Sequence, residues 1–213
     1  MGDTNERFST GIRFLDMELG GGIPAGDVVA LTTPPDAQTE VLFNEFARVQ
    51  ATQYVSTVCA DEMELREWID APETAPNDIV TVSYTDPEEL LADPSILVDR
   101  IPSETCVVLD PANPLETGAR ERYLTLLNAL KERLRTVGSI GFLNCLHADP
   151  TPATRPLTLK RADHAWQLRR SVDGGEVATS LLISKARGDS VPQEAISIEL
   201  ADKVEIDTSR NIA

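Results

Sequence analysis

The chain has 213 residues, with 35 Asp and Glu against 19 Lys and Arg, a formal net charge of -16, and 41% hydrophobic residues. That length and apolar content fit one domain over residues 1–213, with residues 1–7 and 208–213 expected as tails. No apolar run approaches the ~18–20 residues that cross a bilayer, and Met1–Arg7 is too polar for a signal peptide, so a cytoplasmic protein with no membrane role is expected.

Ser9–Leu19 reads as a short helix with Ser9 or Thr10 as its cap, followed by a turn at Gly20-Gly21-Gly22-Ile23-Pro24-Ala25-Gly26-Asp27. The continuous apolar run Val28–Thr32 predicts a strand buried on both faces. Glu40–Ala51 reads as a helix, Gln53–Val58 as a strand, Glu62–Ile69 as a helix and Asp78–Ser83 as a strand. Glu88–Ile101 is helical with a break at Pro94. Thr105–Asp110 is the clearest buried strand, and it ends on a carboxylate. Ala119, Tyr123, Leu126, Leu127, Leu130, Leu134 and Val137 recur at three- and four-residue steps, which predicts one long amphipathic helix. Ser139–Leu146 is the next strand, and Pro152–Arg161 a connector with a short helix. Ala165–Ser171, Glu176–Lys185, Ala195–Leu200 and Lys203–Asp207 read as short strands, with a hairpin at Asp173-Gly174-Gly175.

This order predicts an α/β fold: a mainly parallel central sheet flanked by helices, with antiparallel C-terminal strands. Ligands of such sheets bind at the carboxyl ends of the strands. Here those ends are Thr33–Glu40, Val58–Asp61, Asp110–Leu115 and Asn144–Asp149. Cys59, Cys106 and Cys145 are an odd count in apolar contexts and read as reduced core thiols. Cys145 and His147 are too sparse for a zinc site. His164 is expected to start a strand, and Trp68 and Trp166 to pack.

The charge has two readings. It opposes a surface that tracks phosphates, so nucleic acid is not an expected partner. High Asp and Glu with only four Lys is also the composition of a protein adapted to molar salt. There the Debye length is roughly 3 Å and self-repulsion at this charge is tolerable.

Ser9-Thr10-Gly11-Ile12-Arg13-Phe14-Leu15-Asp16, the glycine-rich turn and Val28–Thr32 together resemble the opening of KaiC-like ATPases of the RecA superfamily, abundant in archaea. The resemblance runs in order through nearly the whole chain and implies a RecA-like P-loop NTPase fold. Asp110 stands where the family has its Walker B-like Asp, and Ile183-Ser184-Lys185-Ala186-Arg187-Gly188 resembles its late Lys-x-Arg-Gly step. The resemblance implies that Lys185 and Arg187 reach a neighbouring subunit, and that the protein assembles with itself or with KaiC-like paralogues.

The family's phosphate loop, G-x-x-x-x-G-K-[ST], uses glycine for backbone wrapping, Lys for charge and a hydroxyl for Mg²⁺. This chain reads Thr33-Pro34-Pro35-Asp36-Ala37-Gln38-Thr39-Glu40. Thr33, Asp36 and Gln38 hold the glycine places, Thr39 stands where Lys belongs and Glu40 where the Mg²⁺ hydroxyl belongs. Asp36 and Glu40 oppose a polyanion, and Asp36 is a good helix N-cap. The family's pair of glutamates after the second strand is replaced by Val58-Cys59, neither of them a general base. Asp61 and Glu62 lie just beyond.

The loss at two stations points to a degenerate ATPase with no catalytic residue and no expected cofactor, acting in regulation, scaffolding or signal transduction. Asp110 then caps the turn at Pro111–Leu115, although Glu40 and Asp110 at the tops of adjacent strands would also suit a bare divalent ion. One rival is a working ATPase using ATP and Mg²⁺ through Thr39, Asp110 and Asp61. The other is a DNA-recombination paralogue.

Overall fold

A computed structural model of the chain describes residues 6–69, 80–173, 176–201 and 203–206. In chain order its elements are β1 (Arg7–Phe8), α1 (Arg13–Glu18), β2 (Ile23–Pro24), β3 (Val28–Thr33), α2 (Thr39–Val49), β4 (Thr52–Ser56) and α3 (Glu62–Trp68). Next come β5 (Val80–Tyr84), α4 (Pro87–Ala92), α5 (Ser95–Val98), β6 (Cys106–Asp110), α6 (Asn113–Glu116) and α7 (Arg120–Val137). The chain continues through β7 (Ile140–Leu146), α8 (Arg155–Arg161), β8 (His164–Asp173), β9 (Glu176–Ala186), β10 (Ile196–Leu200) and β11 (Val204–Ile206).

Nine strands form one sheet in the order β11-β10-β9-β8-β3-β7-β6-β4-β5. From β8 through β5 neighbouring strands run parallel, and β9, β10 and β11 add antiparallel pairs at the other edge. The expected α/β architecture is therefore the observed one. The tails' outermost residues, 1–5 and 208–213, lie outside the described residues. So do Asp78, Ile79, Gly174, Gly175 and Asp207 of the expected strands and hairpin.

The core follows from period-two alternation in strands covered on both faces. Val29 and Leu31 of β3 join one apolar cluster, and Val28 and Ala30 join the other. The same split sends Cys106 and Val108 of β6 one way and Val107 and Leu109 the other. On the first face α2 packs Phe43 and Phe46 onto Phe142 of β7, with the Phe43 and Phe142 rings edge-on at 6.0 Å. On the second face α7 buries Tyr123, Leu126, Leu127, Leu130 and Leu134, each worth about 1.5–3 kcal/mol in transfer terms. Gly138 ends α7 at φ 64° in the left-handed region.

Two local expectations change. The first helix begins at Arg13, and neither Ser9 nor Thr10 caps it. Asp16 bonds both of them instead, through Ser9 Oγ at 2.6 Å and Thr10 N at 2.7 Å. Gly22 closes the following turn, because a Cβ there would lie 2.2 Å from the Phe8 carbonyl oxygen, at a φ of 109°. That close approach is the β1–β2 pairing, Phe8 against Ile23. The other concerns the thiols: Cys106 and Cys145 are buried free thiols but Cys59 is only half-buried, so just two of the three belong to the core. Among the described residues no helix is long and apolar enough to cross a membrane.

Candidate functional site

The loop from β3 to α2 lies at the carboxyl end of the parallel strands, where this fold binds ligands. Thr33 is buried and its Oγ1 donates to Asn144 Oδ1 at 3.0 Å. Beyond it the chain turns on itself. Ala37 N donates to Pro34 O at 3.1 Å, Thr39 N to Ala37 O at 2.8 Å and Val41 N to Gln38 O at 3.2 Å. Pro34 and Pro35 have no N–H. The buried Thr39 hydroxyl also turns inward, to Ala37 O at 3.4 Å. The N–H groups of Ala37, Thr39 and Val41 are thus bonded within the loop.

Asp36 does not cap α2, as its residue type suggested. Gln38 occupies the cap position without a side-chain bond. Asp36 is drawn instead to β8, where Arg170 Nη1 donates to its Oδ2 at 2.7 Å and its carbonyl at 3.0 Å. Its side chain is 73% exposed, so the pair positions the loop more than it stabilises the fold.

Asp110 ends β6 and is nearly buried. Tyr54 of β4 donates its hydroxyl to Asp110 Oδ2, and Asn144 of β7 donates Nδ2 to Asp110 Oδ1 at 2.7 Å. These bonds replace the expected cap of the Pro111–Leu115 turn. With Thr33 they form a chain of side chains, Thr33–Asn144–Asp110–Tyr54, across β3, β7, β6 and β4. Beside it lies a cavity of about 370 Å³, lined among others by Thr39, Glu40, Tyr54, Trp68, Asp110 and Asn144. Trp68 is thus a rim residue, 38% exposed, rather than a core one.

Glu40 and Asp110 are the cavity's carboxylates. Burial pushes the Asp110 carboxyl above its usual range, against the lowering effect of its Tyr54 and Asn144 bonds. Burial likewise raises Glu40; its own backbone N–H opposes this and the nearby Asp110 charge adds to it. Their strands of origin are not adjacent, since β7 separates β3 from β6. Among the described residues no three His, Cys, Asp or Glu gather to hold a metal ion.

A group with a raised folded-state pKa weakens the fold when ionised. As pH falls through that pKa the native state takes up a proton before the unfolded chain does, and stability is gained. Glu40→Gln is therefore expected to stabilise the protein by about 1 kcal/mol at neutral pH. Its advantage over the parent should shrink as pH falls toward the ordinary glutamate range. Urea unfolding at several pH values checks this.

The second station is the turn after β4. Ser56 Oγ accepts from Val58 N and Cys59 N at 3.3 and 2.9 Å. Asp61 caps α3 through Met63 N at 2.9 Å and Glu64 N at 3.4 Å, so it is held away from the cavity lining. The Cys59 thiol donates to Glu64 Oε2 at 3.4 Å.

Lys185 and Arg187 lie at the other end of the sheet. β9 runs antiparallel to β8, so its last residues stand beside the amino ends of β8 and β3. Lys185 Nζ donates to the carbonyls of Leu159, Lys160 and Ala162 and so anchors the end of α8. Arg187 Nε contacts buried Asp163 at 3.1 Å and keeps 56% of its side chain exposed. Neither reaches this chain's own loop.

Tyr54 escaped the sequence reading, and Asn144 entered it only as the start of a strand end. Asn144 is signalled by one polar side chain in the otherwise apolar β7, whereas Tyr54, in the middle of the mostly polar β4, gave no such signal. Buried Glu116, paired with Arg155 at 2.7 Å, gave no local signal at all.

Comparison with known proteins places this geometry. The model of a family of unknown function, DUF7125, matches residues 7–213. No curated protein matches the sequence. Among solved structures, the KaiC-like protein PH0186 from the hyperthermophilic archaeon Pyrococcus horikoshii OT3 is similar, with a TM-score of 0.75. The match covers 95% of this chain and 99% of that one at 16% identity. The chain has a KaiC-like, RecA-type fold.

Proposed function

The chain belongs to DUF7125, a family of unknown function, and from that premise we propose that it is a non-catalytic protein with a regulatory or scaffolding role built on the RecA-type fold. In this reading the loop Thr33–Glu40 is a degenerate Walker A motif and the protein is a pseudo-ATPase. One observation carries it: among the described residues, the lining of the cavity at the carboxyl ends of the strands holds two carboxylates, Glu40 and Asp110, and no cation.

ATP and Mg²⁺ do not fit that donor set. A polyphosphate would meet Glu40 where the fold's phosphate loop has a hydroxyl, and Thr39 where it has a lysine. The backbone donors of Ala37 and Thr39 are bonded within the loop. The Asp110 oxygens, which would hold a metal-bound water, accept from Tyr54 and Asn144.

The test is thermal unfolding with and without Mg-ATP in molar KCl. The transition is expected to stay in place. A ligand at 100 times its Kd adds about 2.7 kcal/mol, so a rise of several degrees would overturn the reading.

The role extends to assembly with like chains, in signal transduction in the cytoplasm of a salt-adapted archaeon. The net charge of -16 with four lysines supports the solvent part of that reading. The position of Arg187, at the far end of the sheet from its own loop, supports the assembly part. Arg187 would serve the site of an active neighbour. Because Lys185 anchors α8, Arg187→Ala is the cleaner probe. It is expected to lower the ATPase of an active KaiC-like partner in a reconstituted mixture, and an unchanged rate would refute the contact.

A further inference from the structure

The cavity beside Asp110 has the form of a small-molecule site. Its volume of about 370 Å³ falls at the compact end of the range of about 300–1,000 Å³ that such sites occupy. Most of its wall is apolar. Pro35 comes from the loop after β3, Val58 follows β4, Trp68 ends α3, Pro111 follows β6 and Leu146 ends β7. Val58 and Trp68 are exposed, so they form the mouth, and Trp68 brings to it an aromatic ring of the kind that attracts cations.

The charged groups inside are of one sign. Asp110 is held from two sides, by the Tyr54 hydroxyl on Oδ2 and by Asn144 Nδ2 on Oδ1 at 2.7 Å. A carboxylate accepts about four hydrogen bonds, so each oxygen keeps room for a further donor. Among the described residues Glu40 is bonded only by its own backbone N–H. Burial acts against both charges, and the Asp110 charge acts against Glu40 as well. An opposite charge would relieve both, and among the described residues the lining supplies none. A bare metal ion is satisfied by about six or more oxygens, which this apolar wall does not offer. An ammonium group on an apolar body uses both halves of the cavity.

We propose that this cavity binds a small organic cation, a primary amine on a compact apolar body. The ammonium group sits between Glu40 and Asp110, where its N–H donors make charge-assisted hydrogen bonds. The body lies against Pro35, Val58, Trp68 and Leu146. Glu40, which repels a polyphosphate, is the group that attracts an ammonium. A partly buried pair of this kind is screened less by molar salt than a surface pair. The proposal rests on the non-catalytic reading above and gives its regulatory role a ligand.

The experiment is titration calorimetry of the full chain in molar KCl with phenethylamine and hexylamine, each beside its neutral counterpart, phenethyl alcohol and hexanol. At least one amine is expected to saturate a single site with a Kd below about a millimolar. Its alcohol should bind at least about tenfold more weakly, because it brings no charge to the carboxylates. Glu40→Gln, with circular dichroism confirming its fold, should weaken the amine at least about tenfold and leave the alcohol unchanged. Two amines that give no saturable heat overturn the proposal, including where magnesium chloride binds instead. So do an amine and alcohol that bind alike, or a Glu40→Gln variant that binds the amine like the wild type. Mg-ATP titrated into the same samples tests the non-catalytic reading separately. Nucleotide binding at micromolar Kd contradicts that reading whatever the amines do, and a chain that binds neither overturns this inference alone.

Discussion

Arg155→Met is expected to cost about 3–5 kcal/mol of folding stability. Glu116 is fully buried, and its carboxylate is held by Arg155 Nε at 2.8 Å to both oxygens and by Thr158 Oγ1 at 2.5 Å. Removing the guanidinium leaves an unpaired charge in the core between α6, α8 and β7. It also strips a donor from the Leu146 carbonyl, which Arg155 Nη2 reaches at 3.1 Å. The desolvation cost of Glu116 then stands without its Coulomb partner. Replacing both groups, Glu116→Leu with Arg155→Met, should recover most of the loss, because an apolar pair of similar volume carries no buried charge. Urea unfolding of the two variants checks this. A single substitution costing under about 1 kcal/mol, as surface pairs do, would mean that the pair is solvated.

The second large effect lies at Asp163. Its Oδ1 accepts from Lys131 at 2.6 Å, and its Oδ2 from the Val28 N–H at 3.2 Å. Asp163→Leu would orphan the first amide of β3 and leave a lysine whose side chain is 9% exposed without its counter-ion. A loss of about 3–5 kcal/mol is expected. Asp163→Asn keeps an acceptor for Val28 and should cost less. The order Leu worse than Asn, read from denaturation midpoints, separates the backbone bond from the ion pair. Equal losses would place the whole effect in the charge.

The sheet was legible because its strands are buried on both faces. Runs such as Val28–Thr32 and Cys106–Leu109 have no room for a helical period, and the single amphipathic face of α7 has no room for a strand. Elements decided by long-range partners were not legible. β1 and β2 are two residues each and exist only through each other. Asp36 has the chemistry of a cap, yet Arg170, 134 residues away, offers it a cation in place of a helix terminus. Ser9 and Thr10 likewise have cap chemistry, and Asp16 outcompetes the helix for them.

At the site, the sequence alone shows Thr39 and Glu40 standing where the resemblance places a lysine and a hydroxyl. What fills the space was not legible, because Tyr54 and Asn144 meet Asp110 only once β4, β6 and β7 are laid side by side. Lys185 shows the same limit. A Lys-x-Arg step reads alike whether its lysine faces a neighbour or ends a helix of its own chain, and here Nζ meets the carbonyls at the end of α8.

Titration calorimetry of the full chain with Mg-ATP in molar KCl bears most directly on the claim that Glu40 and Asp110 have displaced nucleotide from this fold. The account predicts no saturable heat up to millimolar nucleotide. A saturable isotherm with micromolar Kd, about -8 kcal/mol of binding, would contradict it.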